Sequence, residues 1–79
     1  MEYVDPESGD LVDLETVEGR QKALKLLGYD PGACDGVDGP NTRAAVKKFQ
    51  HDAGLAADGI IGPKTNEKLL EAVGNKLAG

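Results

Sequence analysis

The sequence predicts an all-α domain, a small three-helix bundle, and three observations carry that reading. The segment Asp35-Gly36-Val37-Asp38-Gly39-Pro40-Asn41-Thr42 is echoed by Asp58-Gly59-Ile60-Ile61-Gly62-Pro63-Lys64-Thr65, so that both copies read D-G-[VI]-x-G-P-x-T. Each copy opens a stretch in which apolar residues return every three or four positions, the period of a helix with one buried face. Glycine is abundant, 11 of 79 residues, and most of it (positions 28, 32, 36, 39, 54, 59, 62 and 74) brackets those stretches. Glycine at such edges supplies turn conformations rather than general flexibility.

Taken in order, Tyr3-Val4 and Leu11-Val12 flank Asp5-Pro6-Glu7-Ser8-Gly9-Asp10, two short apolar pieces around a run of chain breakers. That pattern fits a β-hairpin. An isolated hairpin is marginal in water, so this one must dock on the helices or be a frayed terminus. The first helix is expected from about Leu14 or Thr16 to Leu27, with Leu14, Val17, Leu24 and Leu27 on one face, Ala23 beside them and Gly28 as its stop. The second is expected from about Asn41 to Ala53, with Thr42, Ala45, Val46, Phe49 and Ala53 as its stripe and Gly54 as its end. The third is expected from about Lys64 to Val73, with Leu69, Leu70 and Val73 inward and Gly74 as its end. Domain organisation follows: an acidic extension or hairpin over 1–13, the three-helix domain over 14–74, and a loose tail over 75–79.

The repeated corner has its own chemistry. Asp-Gly makes a tight turn, the aspartate bonding nearby backbone and the glycine accepting positive φ. Asp35 and Asp58 are therefore read as turn formers, and Gly36, Gly39, Gly59 and Gly62 as structural. Val37 and Ile60 are expected to turn into the core. Proline then sits at the first helical position, where its missing N–H costs nothing. Thr42 and Thr65 fall in the first turn, within reach of free backbone groups.

Composition excludes several functions. With 39% hydrophobic and 29% charged residues, the chain has the balance of a folded globular domain. No apolar run approaches the roughly 20 residues that span a bilayer. The first residues, MEYVDPESGD, lack the apolar stretch of a secretory signal, which leaves export by another route, excision from a larger chain, or action inside the cell. The formal net charge is −5 and unevenly placed: Glu2, Asp5, Glu7, Asp10, Asp13, Glu15 and Glu18 precede every Lys and Arg of the chain. This lead-in is a solvated acidic strip or a face for a cationic partner. Nucleic acid is not expected as a partner, because no dense Lys/Arg face exists to neutralise phosphates. Cys34, the single cysteine, cannot form an internal disulfide. His51, the single histidine, lacks the further ligands that zinc requires, so no metal or cofactor is expected. Three short helices scarcely wall the deep cleft that a catalytic carboxylate pair needs, and no nucleophile, zinc-hydrolase or phosphate-loop motif occurs. A small enzyme fails on that inventory.

The string LLGYDPGACDGVDGPNTRAAVKKFQHDAGLAADGIIGPKT closely resembles the peptidoglycan-binding domain family, three-helix modules of bacterial and phage cell-wall hydrolases. Its carriers are Leu27-Gly28-Tyr29, Asp35-Gly36-Val37, Gly39-Pro40-Asn41-Thr42, Ala45-Val46, Phe49-Gln50, Gly54-Leu55, Asp58-Gly59-Ile60, Gly62-Pro63 and Thr65. Val17 followed by Gln21 fits the family's first helix, and the likeness covers roughly residues 17–73. Three positions depart from the pattern. Arg20 stands where an aliphatic residue is usual, with a stem long enough to snorkel over the core. Asp38 and Asn66 stand where aromatics are common, and aromatic faces stack on sugars or close the core beneath a glycan groove. Their absence leaves a different ligand, weaker binding, or a wall contact dominated by polar groups and stem peptide.

The resemblance implies non-catalytic binding of peptidoglycan, glycan strand with stem peptide, placing a covalently linked or separate wall-acting enzyme or a phage component on its substrate. The alternative is the same fold reused as a protein–protein interaction or assembly module, since fold does not fix function. The candidate ligand residues are the polar groups beside the corners that the turns do not need: Tyr29, Asp38, Asn41, Arg43, Lys64 and Asn66. Asp38, Asn41 and Arg43 share one loop-to-helix corner, where carboxylate, amide and guanidinium suit sugar hydroxyls, acetamido groups or a stem-peptide carboxylate. Tyr29 offers a ring face and a hydroxyl.

Overall fold

The structure, a computed structural model, describes residues 1–79. Its elements are β1 (Glu2–Val4), β2 (Leu11–Asp13), α1 (Val17–Leu26), α2 (Pro40–Asp52) and α3 (Pro63–Ala78). The strands pair antiparallel, with Tyr3 opposite Val12 and Val4 opposite Leu11. Asp5 closes the hairpin turn by accepting from Glu7 N–H at 2.8 Å. Strand alternation sends one cross-strand pair each way. Val12 is buried and Tyr3 packs against the core, whereas Val4 and Leu11 face solvent. The hairpin is therefore docked rather than frayed.

α1 begins later than its apolar spacing alone indicates. The Thr16 hydroxyl accepts from Gly19 N–H at 3.0 Å and donates to the Asp13 carbonyl at 2.8 Å, which fixes the helix start at Val17. Leu14 is buried in the turn ahead of it. The far ends of α1 and α2 are built alike. Gly28 N–H donates to Lys25 O and Tyr29 N–H to Leu24 O, and Gly54 N–H and Leu55 N–H repeat the arrangement on His51 O and Gln50 O. This is the double backbone bond of a helix closed by glycine at positive φ, here +93° and +74°. Both later helices start with proline in the first turn.

Gly74 does not end α3, contrary to the sequence expectation, and residues 75–78 are helical rather than loose. A glycine inside a helix costs roughly 1 kcal/mol, which stops a helix only where the residues beyond cannot carry it. Lys76, Leu77 and Ala78 are good helix formers.

α1 is the hub, packing against β2, α2 and α3. The buried cluster is Leu14, Ala23, Leu24, Ala45, Val46, Phe49, Leu69 and Val73. Gly19 lies against the turn before α1, where an added Cβ would run into the Asp13 carbonyl oxygen.

Val37 and Ile60 are not core residues: they are 64% and 71% exposed. The corners are anchored instead by two buried glutamines. Gln21 donates through Nε2 to the Val37 carbonyl at 2.8 Å and to the Thr42 hydroxyl at 2.9 Å, while its Oε1 accepts from Gly36 N–H at 2.9 Å. Gln50 does the same one repeat later. Its Nε2 donates to the Ile60 carbonyl at 2.9 Å and to Thr65 Oγ1 at 3.3 Å, and its Oε1 accepts from Gly59 N–H at 2.9 Å. Backbone groups of the turn are the natural partners of an amide held at that depth, so the β-branched side chain is left to point outward.

Gln50→Leu keeps the volume and strands Gly59 N–H and the Ile60 carbonyl. At roughly 1–3 kcal/mol for each unsatisfied buried group, the variant should lose about 2–6 kcal/mol, read as a fall in Tm of at least about 8 °C by thermal circular dichroism. An unchanged Tm would show that the amide is not an anchor.

Candidate ligand groove

An open groove of about 410 Å³ runs between α1 and the two repeated corners. α1 contributes Val17 and Arg20, the first corner and α2 contribute Asp38, Thr42, Arg43 and Val46, and the second corner contributes Asp58 through Ile61. Val46 and Thr42 are buried and lie at its base, while Asp38, Arg43 and Ile60 are exposed along its rim. No residue of the N-terminal hairpin lines it.

The charges of the groove are held in different ways. Arg43 Nε lies 3.8 Å from Asp38 Oδ1, both side chains more than half exposed. A pair this exposed adds about 0–1 kcal/mol of stability and opens readily to a ligand. Asp58 accepts through Oδ1 from Ile60 N–H at 2.9 Å and from Gln50 Nε2 at 3.0 Å. The Ile60 bond first, and the glutamine second, hold the Asp58 carboxyl below the usual carboxylate range. Asp35 makes the corresponding turn bond to Val37 N–H at 2.9 Å, so both aspartates form the turns read from the sequence. Arg20 donates from Nε to the Leu14 carbonyl at 2.8 Å.

Of the six residues singled out from the sequence, the structure brings only Asp38 and Arg43 into this groove. Asn41 is exposed on the other side of the first corner, against Gly32, in a separate hollow of about 200 Å³. Lys64 is exposed in the first turn of α3 and does not line the groove. Tyr29 sits at the C-terminal ends of α1 and α2. Its hydroxyl donates to Asp52 Oδ2 at 2.6 Å, and its ring meets Phe49 edge to face at 5.8 Å. The bond to Asp52, and then burial, push the Tyr29 hydroxyl up to about 12.

Asn66 is a correction. It is 3% exposed and its Nδ2 donates to the Leu14 carbonyl at 2.9 Å, so it belongs to the core and not to a ligand surface. The signal was in its spacing: Asn66 precedes Leu69, Leu70 and Val73 by three, four and seven positions, the inward stripe of α3. Among the groove residues that the sequence reading left to turn or packing roles are Arg20 and Asp58, and Ile61 was given no role. What marks them is position, since Arg20 lies one turn from Val17 on α1 and faces the second corner only in three dimensions.

No set of three or more His, Cys, Asp or Glu side chains is grouped to hold a metal ion. No helix is long and apolar enough to cross a membrane. The family described as "Putative peptidoglycan binding domain" matches residues 14–69, which take in α1, both corners, α2 and the first part of α3. The chain belongs to this family. Among proteins with this peptidoglycan-binding domain, a zinc D-Ala-D-Ala carboxypeptidase of Streptomyces albus G is 49% identical over 57 residues, 66% of this chain and 22% of that protein. A spore cortex-lytic enzyme of Oceanobacillus iheyensis is 40% identical over 58 residues, 73% of this chain and 21% of that protein. An N-acetylmuramoyl-L-alanine amidase of Mycobacterium tuberculosis is 42% identical over 57 residues, 72% of this chain and 13% of that protein. The domain thus spans about a fifth or less of the length of these relatives. No solved structure matches the chain.

Tyr3 and Tyr29 are the only tyrosines, and both hydroxyls are pushed up to about 12, Tyr3 chiefly by burial. Each is raised above its unfolded value, so its contribution to stability is intact below about pH 10 and is lost between about pH 10 and 12. Ultraviolet titration should show almost no tyrosinate at pH 10, where a free phenol is half ionised. Half ionisation at pH 10 would contradict the Tyr29–Asp52 bond.

Proposed function

We propose that this domain binds peptidoglycan without catalysis, through the groove between its two corners, and so holds a wall-acting enzyme, covalently linked or separate, on its substrate. The observation that carries the reading is the groove itself: a base of Val46 and Thr42, a charged rim of Asp38 and Arg43, and α1 closing the third side. Its shape is open, which suits an extended polymer better than an engulfed small molecule. The rim offers donors and an acceptor to hydroxyls, acetamido groups and peptide carboxylates, and the base offers an apolar surface. The relatives named above act, by their names, on D-Ala-D-Ala, on spore cortex and on the muramoyl-alanine bond, and the shared domain is a small part of each. A shallow site of modest affinity is effective in that setting, because tethering raises the local concentration of enzyme on the wall.

The exposed Val37 and Ile60 favour a second reading, a protein partner seated across the two corners. Sedimentation with purified sacculi separates the two. Under the wall reading the chain co-sediments and is released by soluble muropeptides. Under the other it stays in solution and is retained by a protein partner.

Arg43→Ala and Asp38→Ala remove exposed side chains without touching the core, and each should weaken sacculus binding by about tenfold, the worth of one charge-assisted hydrogen bond. Tyr29→Phe, which deletes only the Asp52 bond away from the groove, should bind like the wild type. Full binding by both groove variants would move the site elsewhere.

A further inference from the structure

We infer that Arg20 is the carboxylate receptor of the groove, and that the ligand it takes is the free C-terminal carboxylate of a short peptide with a small aliphatic side chain beside it. The inference rests on the groove reading above and deepens it.

Arg20 lies half-buried in α1 and lines the groove. The one hydrogen bond of its side chain within the chain runs from Nε to the Leu14 carbonyl at 2.8 Å. The same carbonyl accepts from the buried Asn66 at 2.9 Å, so the anchor is fixed from α3 as well. With Nε committed, the plane of the guanidinium is set and the two terminal nitrogens remain as a fork. None of the four ion pairs of the structure involves Arg20.

The carboxylates that share the groove do not satisfy it. Asp38 is paired with Arg43, and Asp58 is committed to Ile60 N–H and the Gln50 amide. Arg20 is therefore the one charged group of the groove with neither an ion-pair partner nor a role in a turn. A half-buried guanidinium held in one orientation has already lost most of the rotamer freedom that binding would cost it. Its fork matches a carboxylate in bidentate geometry. Val17, Val46 and Ile61 line the same groove. They offer an apolar wall to a methyl-sized side chain and no partner for a second charge.

A carboxylate can come from a peptide end or from a small free acid, so the probes are acetyl-D-Ala-D-Ala, its C-terminal amide, and acetate. Chemical-shift titration of the full chain should show the acid binding about tenfold or more tighter than the amide, the difference carried by charge-assisted bonds, with acetate too weak to saturate. Arg20→Met should abolish the preference for the acid, Arg20→Lys should retain part of it, and Arg43→Ala should weaken acid and amide alike and keep their ratio. The wild-type comparison stands even if Arg20→Met fails to fold, and Arg20→Lys then replaces it. Equal binding of acid and amide, binding of neither, saturation by acetate at the same strength, or a preference lost with Arg43 instead of Arg20 overturns the assignment. Sedimentation with sacculi, run on the same variants, separates the two claims: binding by the wild type that weakens in Arg43→Ala keeps the groove reading even where the titration shows no preference for the acid and the carboxylate receptor falls.

Discussion

Two buried side-chain amides hold this domain in shape. Gln21 and Gln50 are 0% and 1% exposed, and each meets its corner with a donor to a carbonyl, a donor to a threonine hydroxyl and an acceptor for a glycine N–H. A buried amide is costly unless nearly every donor and acceptor is used, and these two are almost fully used. That requirement gives the network its specificity. A slipped turn would leave polar atoms stranded at depth, whereas an apolar anchor tolerates small shifts. The hydrophobic cluster is small, and the amides supply the positional precision that it lacks.

The corners in turn place the groove. The first positions Asp38 and Arg43, the second positions Asp58 and Ile61, and α1 stands between them. Because Val37 and Ile60 point outward, each corner shows an apolar side chain to solvent next to its polar groups. A duplicated structural unit has thus produced one groove between its copies rather than two equivalent ones. The residues at matching positions differ: Asp38 in one corner is Ile61 in the other, so the first side of the groove carries the exposed Asp38–Arg43 pair while the second presents Ile60, Ile61 and the turn-bound Asp58.

Much of the fold was legible in the sequence because it depends on local chemistry. Glycine after α1 and α2, proline opening α2 and α3, and aspartate in each turn act over a few residues, and all appear where the sequence places them. The hairpin was legible for the same reason. The parts that were not legible depend on packing between distant segments. Val37 and Ile60 look like core residues in a linear reading, and only the reach of a glutamine from another helix shows that the inward position is taken. Gly74 carries the local signature of a stop, which the residues after it override. Within the candidate groove, Asp38 and Arg43 were legible as polar residues that the turn does not use. Arg20 was not, because its anchor, the Leu14 carbonyl, belongs to a turn whose position depends on Asn66 in α3.

Native-state hydrogen exchange at Gly36 and Gly59 tests the anchoring most directly. Both amides lie outside helices and strands, and each has a glutamine Oε1 as its acceptor. Both should exchange about as slowly as the central amides of α1 and α2, opening only with the whole domain. Exchange of either glycine at the rate of a free, solvated loop would mean that its corner is not held by the glutamine, and the groove would lose the support on which its geometry depends.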